Sequence, residues 1–539
     1  MPYAKGARKI ALNLLITIVL GLAYLYLKLP AINLHDTSFY MFFFTLSLIY
    51  IIAAVVTQGI FREQDREAIK RSLKHNCLVP IIICVALLGF VIIGGILSSV
   101  LFRSRAYRRL ITVEPGDFAS EVTEISYSEI PMLDAASAEK LGDRKLGELS
   151  DMVSQFEVTS DYTQINFRDR PVRVTPLMYG DAIKWLNNRG KGLPAYVVID
   201  MVTQAVDVVR LDEGMKYSKS EYFFRNVDRR LRFLYPTFMF DTPSFEIDED
   251  GTPFWVCPRI VKTIGLFGGT DIKGAVLMNA ITGECEYYED APTWVDRVYS
   301  AELIMEQYDY YGKYIKGFFN SIIGQKEVTV TTEGYNYIAL KDDVYMYTGI
   351  TSVGTDESNV GFILSNLRTK ETRYYACAGA EEYSAMSSAE GVVQHLGYSA
   401  TFPLLLNIYG QPTYFLALKD NAGLVKMYAM VNVQQYQIVA TGSSVSECEA
   451  AYRKLLTQNN ITGNAGESGN VTEGVITEIK EAVIDGNTRY YFRLDEGGSY
   501  YVVSANDNEL AVILNVGDRV KISWTGEGEM LTVLTMERA

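Results

Sequence analysis

The sequence predicts an α+β protein: transmembrane helices at the N-terminus, then tandem units that each set a helix against an antiparallel sheet, then a small all-β barrel. Three observations predict it. Apolar residues concentrate before residue 102 in three long runs. A fifteen-residue outline of strand, corner and strand recurs through the middle of the chain. After a polar, glycine-rich stretch, short strands separated by turn residues close the sequence. A chain of 539 residues is long enough for several such domains.

The apolar runs cover residues 10–29, 39–60 and 79–101. Each approaches or exceeds the roughly 20 residues that cross a hydrocarbon core. Basic residues precede the first run as in a signal peptide, but no small-residue cleavage motif follows, so an uncleaved anchor is expected. Orientation follows the distribution of Lys and Arg. Lys5, Arg8 and Lys9 precede the first run, and Arg62, Arg66, Lys70, Arg71 and Lys74 lie between the second and third. The first turn, PAINLHDT, has neither. This places the N-terminus in the cytoplasm and everything after residue 102 outside. Arg103, Arg105, Arg108 and Arg109 in FRSRAYRR argue the other way; they are outnumbered, and long basic side chains snorkel to headgroups.

The recurring outline appears as AYVVIDMVTQAVDVV from Ala195, GAVLMNAITGECEYY from Gly274 and GFILSNLRTKETRYY from Gly361. The corner positions Asp200, Asn279 and Asn366, with Thr203, Thr282 and Thr369 three residues on, carry side chains that bond their own backbone in turns. With β-branched and aromatic flanks, each copy reads as a hairpin. A looser fourth copy, MYAMVNVQQYQIVAT, has Asn432 at the corner. Helices are expected at 176–188, 218–233, 300–323 and 380–396, each covering one face of the sheet that follows. The copies recur every roughly 65 to 90 residues, too long for a simple solenoid. The resulting division is an anchor at 1–101, a stalk or connector at 102–173, units at about 174–211, 212–296, 297–378 and 379–457, a linker at 458–470, and a terminal module at 471–539.

The helix, the strand PFW, and the hairpin ending Thr282-Gly283-Glu284 with Tyr287 and Tyr288 resemble PepSY-like domains of cystatin-like topology. Lys370 and Gln204 stand where that glycine would fall in the other two copies. The resemblance implies a helix packed on a small antiparallel sheet outside the cytoplasmic membrane, and it implies a role in restraining proteases, without an inhibitory residue to carry over. The terminal module, five strands with one helical turn after the third, resembles an OB-like barrel. Nucleic acid is excluded as a partner: the formal charge is −14, and acidic residues outnumber basic ones after the linker. Tyr490, Tyr491, Tyr500 and Tyr501 are read as core and cross-strand residues.

Chemistry-bearing residues are few. Histidine is limited to His35, His75 and His395, which disfavours a histidine base or a multi-histidine metal site. His395 is expected to be structural on a helix. Glu246, Asp248, Glu249 and Asp250 lack the spacing of a calcium loop and suit a hairpin turn at Asp250-Gly251. Trp294 and Asp296 are expected to fix the entry to the next helix. Of six cysteines, Cys257 and Cys285 fall on strands of one sheet, where a disulfide is conceivable and unpaired burial the plainer reading. The 37 tyrosines suit half-buried sheet surface; Trp255, Tyr287, Tyr288, Tyr374 and Tyr375 are the candidates for an aromatic binding face. No catalytic, cofactor or metal residue is expected. The function this points to is a non-enzymatic, membrane-anchored scaffold outside the cytoplasm, binding an envelope protein or a cell-wall component. A modulator of an envelope protease and an envelope enzyme using a carboxylate pair are the alternatives.

Overall fold

In the computed structural model the three apolar runs are helices: α1 (Pro2–Lys28), α2 (Thr37–Gln58) and α3 (Arg66–Leu97). The structure describes residues 2–58, 66–122, 130–131, 133–340, 342–353, 358–459, 461, 470–484, 487–495, 498–504, 508–525 and 530–538. Residues 8–28, 37–57 and 76–97 are long and apolar enough to span a membrane. Gly21 lets α1 approach α2, since a Cβ there would meet Leu46 at 2.4 Å. Oδ1 of the buried Asn13 accepts a 2.8 Å hydrogen bond from Thr57 across the same pair, while its Nδ2 has no partner among the described residues. The third run ends earlier than its hydropathy predicts. The helix stops at Leu97, Ser98 and Ser99 interrupt it, and residues 100 and 101 begin a separate helix, α4 (Val100–Tyr107). Arg62 of the basic loop lies outside the described residues.

Beyond α4 come β1 (Val113–Gly116), the short α5 (Phe118–Glu121) and α6 (Ala135–Gly147). The first sheet follows: β2 (Phe156–Val158), β3 (Thr163–Asn166), β4 (Pro171–Tyr179), α7 (Ala182–Asn188), β5 (Leu193–Asp200) and β6 (Val206–Met215). The expected stalk at 102–173 is therefore corrected. Its amphipathic pieces bury Ala138, Leu146, Met152, Phe156 and Ile165 in the core of the first sheet, and β1 joins the third. α6, which starts at Ala135, packs on the first sheet.

The second sheet follows α8 (Val227–Leu234) and contains β7 (Met239–Phe240), β8 (Ser244–Ile247), β9 (Pro253–Ile264), β10 (Gly268–Asn279) and β11 (Cys285–Tyr288). α9 (Ala301–Lys313) leads into β12 (Thr329–Thr331), β13 (Asn336–Leu340), β14 (Asp343–Ser352), β15 (Ser358–Asn366) and β16 (Thr372–Ala380). α10 (Glu382–Val392) leads into β17 (Ser399–Ala400), β18 (Leu404–Ile408), β19 (Gln411–Lys419), β20 (Val425–Asn432) and β21 (Val439–Gly442), and α11 (Val445–Gln458) closes the unit. The four sheets are wired alike. Two short strands both pair with the third, and the third, fourth and fifth form a meander.

The expected helices are shorter than the periodicity implied. Residues 176–179 belong to β4, a strand buried on both faces: Val172 and Val174 on one side, Arg173, Thr175 and Leu177 on the other. Residues 218–226 are largely irregular, with one 3₁₀ turn at Phe223–Arg225. α9 ends at Lys313, and a π-turn at Asn320–Gly324 stands apart from it. His395 sits in the exposed 3₁₀ turn Gln394–Leu396 after α10.

The chain divides into two compact units, 1–459 and 460–539. Most of the expected linker lies outside the described residues, and residue 458 belongs to α11. The second unit contains β22 (Asn470–Ile484), β23 (Asn487–Leu494), β24 (Tyr500–Ser504), a 3₁₀ turn at Glu509–Ile513, β25 (Arg519–Thr525) and β26 (Met530–Arg538). β22 pairs with β23 through its second half and with β25 through its first. Tyr501 is buried beside Phe492, and Tyr490 packs against the same cluster.

The hairpin corners share their atomic detail. Asp200 Oδ1 accepts from the backbone N–H of Val202 and Thr203, Asn279 Oδ1 from Ile281 and Thr282, and Asn366 Oδ1 from Arg368 and Thr369. Thr203, Thr282 and Thr369 each accept from the N–H two residues on. Gln204, Gly283 and Lys370 then take φ of 60°, 75° and 65°, the left-handed turn that reverses the chain. The carbonyl after the corner receives the chain that enters the same unit: Ala280 accepts from Lys216 and Tyr217, and Leu367 from Val298 and Tyr299.

Two substitutions test this corner. Asn279→Ala strands two N–H donors and is expected to lower stability by about 1–2 kcal/mol. Gly283→Ala places a Cβ 2.2 Å from the Tyr217 ring at positive φ and is expected to cost about 1–3 kcal/mol. Apparent melting temperatures in detergent check both; unchanged values for the pair contradict the account.

Candidate functional site

Among the aromatic candidates, Trp255 and Tyr375 do not form a binding face. Trp255 is 2% exposed, donates from Nε1 to the Tyr217 carbonyl and packs edge-on to Phe245. Tyr375 is 4% exposed, stacks on Phe362 and donates to Glu121. Tyr287, Tyr288 and Tyr374 are half-buried, and each donates to a partner on its own sheet: the carbonyls of Lys273 and Val360 and the Glu286 carboxylate. Bulky rings on a twisted sheet are absorbed by packing. The six corner residues shape turns, as described above. Cys257 and Cys285 are free thiols. β10 lies between their strands, which sets them about 10 Å apart, beyond disulfide reach. Burial raises both thiols, Cys285 to about 11.

The acidic cluster splits in two. Asp248 Oδ1 accepts from the N–H of Asp250 and Thr252, and Gly251 has φ of 83°, so 248–252 is a turn. Glu246 instead points into the protein and is fully buried. It accepts from the N–H of Asp296 and Arg297 at 2.9 and 3.2 Å and from Ser244 Oγ at 3.1 Å. Asp296 is buried too, and its Oδ2 accepts from Asn166 N–H on the first sheet at 2.7 Å. Its job is thus to join two sheets, while Ser300 begins α9. Burial pushes Glu246 up to about 7. Burial, then the charge of Glu246, raises Asp296 well above the usual carboxylate range. The neighbouring cavity of about 370 Å³ is lined by Ser244, Arg297, Asp241 and Ser300, and neither carboxylate lines it.

The richer site lies where the chain leaves the membrane. The tip between β9 and β10 descends onto the end of α3. Ser98 Oγ accepts from the N–H of Leu266 and Phe267 at 2.8 and 3.1 Å, and His35 Nδ1 donates to the Leu266 carbonyl at 2.8 Å. Phe267 meets Tyr40 edge to face. On the other side, Ile32 N–H donates to the Pro236 carbonyl, and Arg232 Nε donates to Leu29. Tyr26 of α1 packs against Phe224 and Phe233 under the Arg229 guanidinium. These contacts fix the second sheet to all three helices.

Beside this seat, α4 turns back so that Tyr107 donates to the Ser98 carbonyl at 2.7 Å. Tyr107, Tyr310, Tyr314 and Phe318 follow one another with ring centroids 4.8–6.4 Å apart. Their spacing of four along α9 and its extension was the sequence signal for this column, and it was missed. Phe319, Ile322 and Ile323 continue it into solvent at 70%, 59% and 82% exposure. Amphipathic rings at the end of the spans are the signature of a membrane interface. Between α4 and α9 opens a cavity of about 630 Å³, lined by Arg105, Arg108, Arg109, Lys316, Tyr311 and Tyr314 among others, with no carboxylate in its wall. Arg108 lies over the Tyr311 ring at 5.4 Å, and its Nε is buried without a hydrogen-bond partner. Lys316 pairs with Glu327. No ion pair engages Arg105, Arg108 or Arg109 among the described residues.

The buried pair gives a pH signature. Glu246 holds a proton in the folded state that the unfolded chain releases, so its contribution is intact below pH about 4.5 and lost as pH rises through about 7. Melting temperature is expected to fall across this window, by the equivalent of on the order of 1–3 kcal/mol, and Glu246→Gln is expected to flatten the slope. An equal slope in both proteins contradicts the assignment. No protein-family model matches this chain, and no curated protein sequence matches it.

Proposed function

We propose that this protein is a membrane-anchored, non-enzymatic scaffold of the cell envelope. Its N-terminus is cytoplasmic, and the chain after residue 102 lies outside. There it presents four related PepSY-like units, at about 135–215, 216–296, 297–378 and 379–457, and an OB-like barrel at 471–539 to an envelope protein or cell-wall component. The observation that carries this reading is the fixed seat of the second sheet on the three helices. Hydrogen bonds accepted by Ser98 and donated by His35, Ile32 and Arg232 hold folded sheets at a set height above the lipid, which suits presentation of a surface and is needless in a flexibly tethered enzyme. The common wiring of the four sheets and their matched corners support a repeat origin. The pairing of β22 with both β23 and β25 supports the barrel.

Sidedness is the part most directly tested. Tyr436 is exposed on the loop after β20, and Lys74 is exposed before the third span. Tyr436→Cys is expected to react with a membrane-impermeant maleimide on intact cells, above the background of the native cysteines. Lys74→Cys is expected to react only after lysis. The reverse pattern places the sheets in the cytoplasm and ends the envelope reading.

A further inference from the structure

We propose that the cavity between α4 and α9 binds the phosphate of an anionic lipid headgroup through Arg105, Arg108 and Arg109. Three independent features of the molecule converge on this ligand. The first is charge. Among the described residues, three guanidiniums without ion-pair partners border one concave wall that contains no carboxylate. Guanidinium and phosphate meet in paired, charge-assisted hydrogen bonds, and Arg is favoured over Lys for that geometry. The Arg108 Nε, already withdrawn from solvent beside Tyr311, is an unanswered donor there.

The second feature is depth. Arg105 follows the last spanning residue, Leu97, by eight positions, about 12 Å of helical rise if the chain ran straight out. The Tyr107–Ser98 hydrogen bond folds α4 back and shortens that reach. The headgroup layer is about 5–8 Å thick, so the guanidiniums, on their long stems, fall at its height.

The third is the apolar surround. Leu101 and Phe102 on α4, and Phe319, Ile322 and Ile323 just past the last lining residue, Gly317, leave large side chains exposed next in the chain to the cavity wall. Side chains of this kind beside cations match a ligand with a phosphate at one end and acyl chains at the other. A free phosphate ion explains the arginines but leaves the apolar rim without a role.

The site also accounts for a conflict in the sequence. Four arginines after the third span count against an external C-terminal region by the loop-charge rule. Arginines committed to a headgroup site are selected for binding, and the inference holds on either side of the membrane.

The test uses the full chain in nonionic detergent and native mass spectrometry. Phosphatidylglycerol, phosphatidylcholine and inorganic phosphate are the three probes. The wild-type protein is expected to retain phosphatidylglycerol well above phosphatidylcholine, with a weakening of about fivefold for each arginine changed to Gln. Arg109→Gln is the primary variant, because Arg109 is exposed and its loss spares the fold; Arg105→Gln with Arg108→Gln completes the series. Arg210→Gln, on the distant β6, is expected to leave retention unchanged. Equal retention of the two lipids overturns the proposal, as does a preference indifferent to Arg109→Gln. Displacement of the lipid by millimolar inorganic phosphate, with phosphate itself retained, identifies a free-anion site and overturns the lipid assignment.

Discussion

The architecture depends on one hydroxyl. Ser98 stands where α3 ends, and its Oγ answers two backbone N–H groups from a hairpin 168 and 169 residues further along the chain. Those donors sit in a tight tip between Gly265 and Gly268, which have no side chain to collide with the helix; a Cβ on Gly265 would lie 2.5 Å from Ser98 Oγ, and one on Gly268 2.1 Å from Tyr107 Oη. Gly94, one turn earlier, leaves room for Leu266 and Phe267 in the same way. A buried N–H without an acceptor costs about 1–3 kcal/mol, so the tip and the helix end each require the other. Once they meet, the second sheet can no longer swing, and α4 and α9 are held beside the end of α3.

From this seat outward, neighbouring sheets are joined by polar groups as well as apolar ones. Asn166, Asp296, Glu246 and Ser244 form a continuous chain of hydrogen bonds between the first two sheets. Between the third sheet and α10, the Glu382 carboxylate fills the space that a side chain at Gly349 would occupy, 2.6–2.9 Å from the position of a Cβ, and burial raises it above its ordinary range. Apolar contacts would tolerate sliding of one sheet on another. Glu246 tolerates only the register that brings it the N–H groups of Asp296 and Arg297, and its raised proton affinity reduces the cost of its burial. Small sheets packed side by side have many near-equivalent ways to pair, and such groups discriminate among them.

How much of this the sequence disclosed follows from the range of each interaction. The corners at Asp200, Asn279 and Asn366 were readable because their bonds stay within five residues, so residue type and spacing carry the whole geometry. Gln204 and Lys370 obscured the repeat only in letter: both adopt the left-handed conformation of Gly283. The spans were readable from length and hydropathy, except where two serines rather than a change in hydropathy ended the third. The helices were overextended because fully buried runs such as 176–179 carry no period that separates helix from strand. Glu246 was unreadable. It lies among acids that form a turn, and nothing local marks it as the one that faces Asp296, fifty residues away. Trp255 and Tyr375 looked available for binding because their neighbours in space come from β8 and from α5 and β15.

The arginines after the third span show why counting charge along a chain and locating it in space give different answers. In the sequence, Arg103, Arg105, Arg108 and Arg109 are equivalent entries in a loop. In the structure the backbone breaks from helical geometry at Arg103, and the residues beyond it turn toward α9. Tyr311 and Tyr314 then supply a rigid wall that one cation stacks on and the others border. A basic loop without such a wall exchanges counterions freely and reports only the membrane potential during insertion. A basic cavity with a rigid aromatic wall holds its cations in one place, where paired hydrogen bonds to a single anion can form. On the proposed reading the cluster acts after insertion, by tying the end of the third apolar helix to the headgroup layer, where the exposed apolar side chains of α4 and the 319–323 segment would enter lipid.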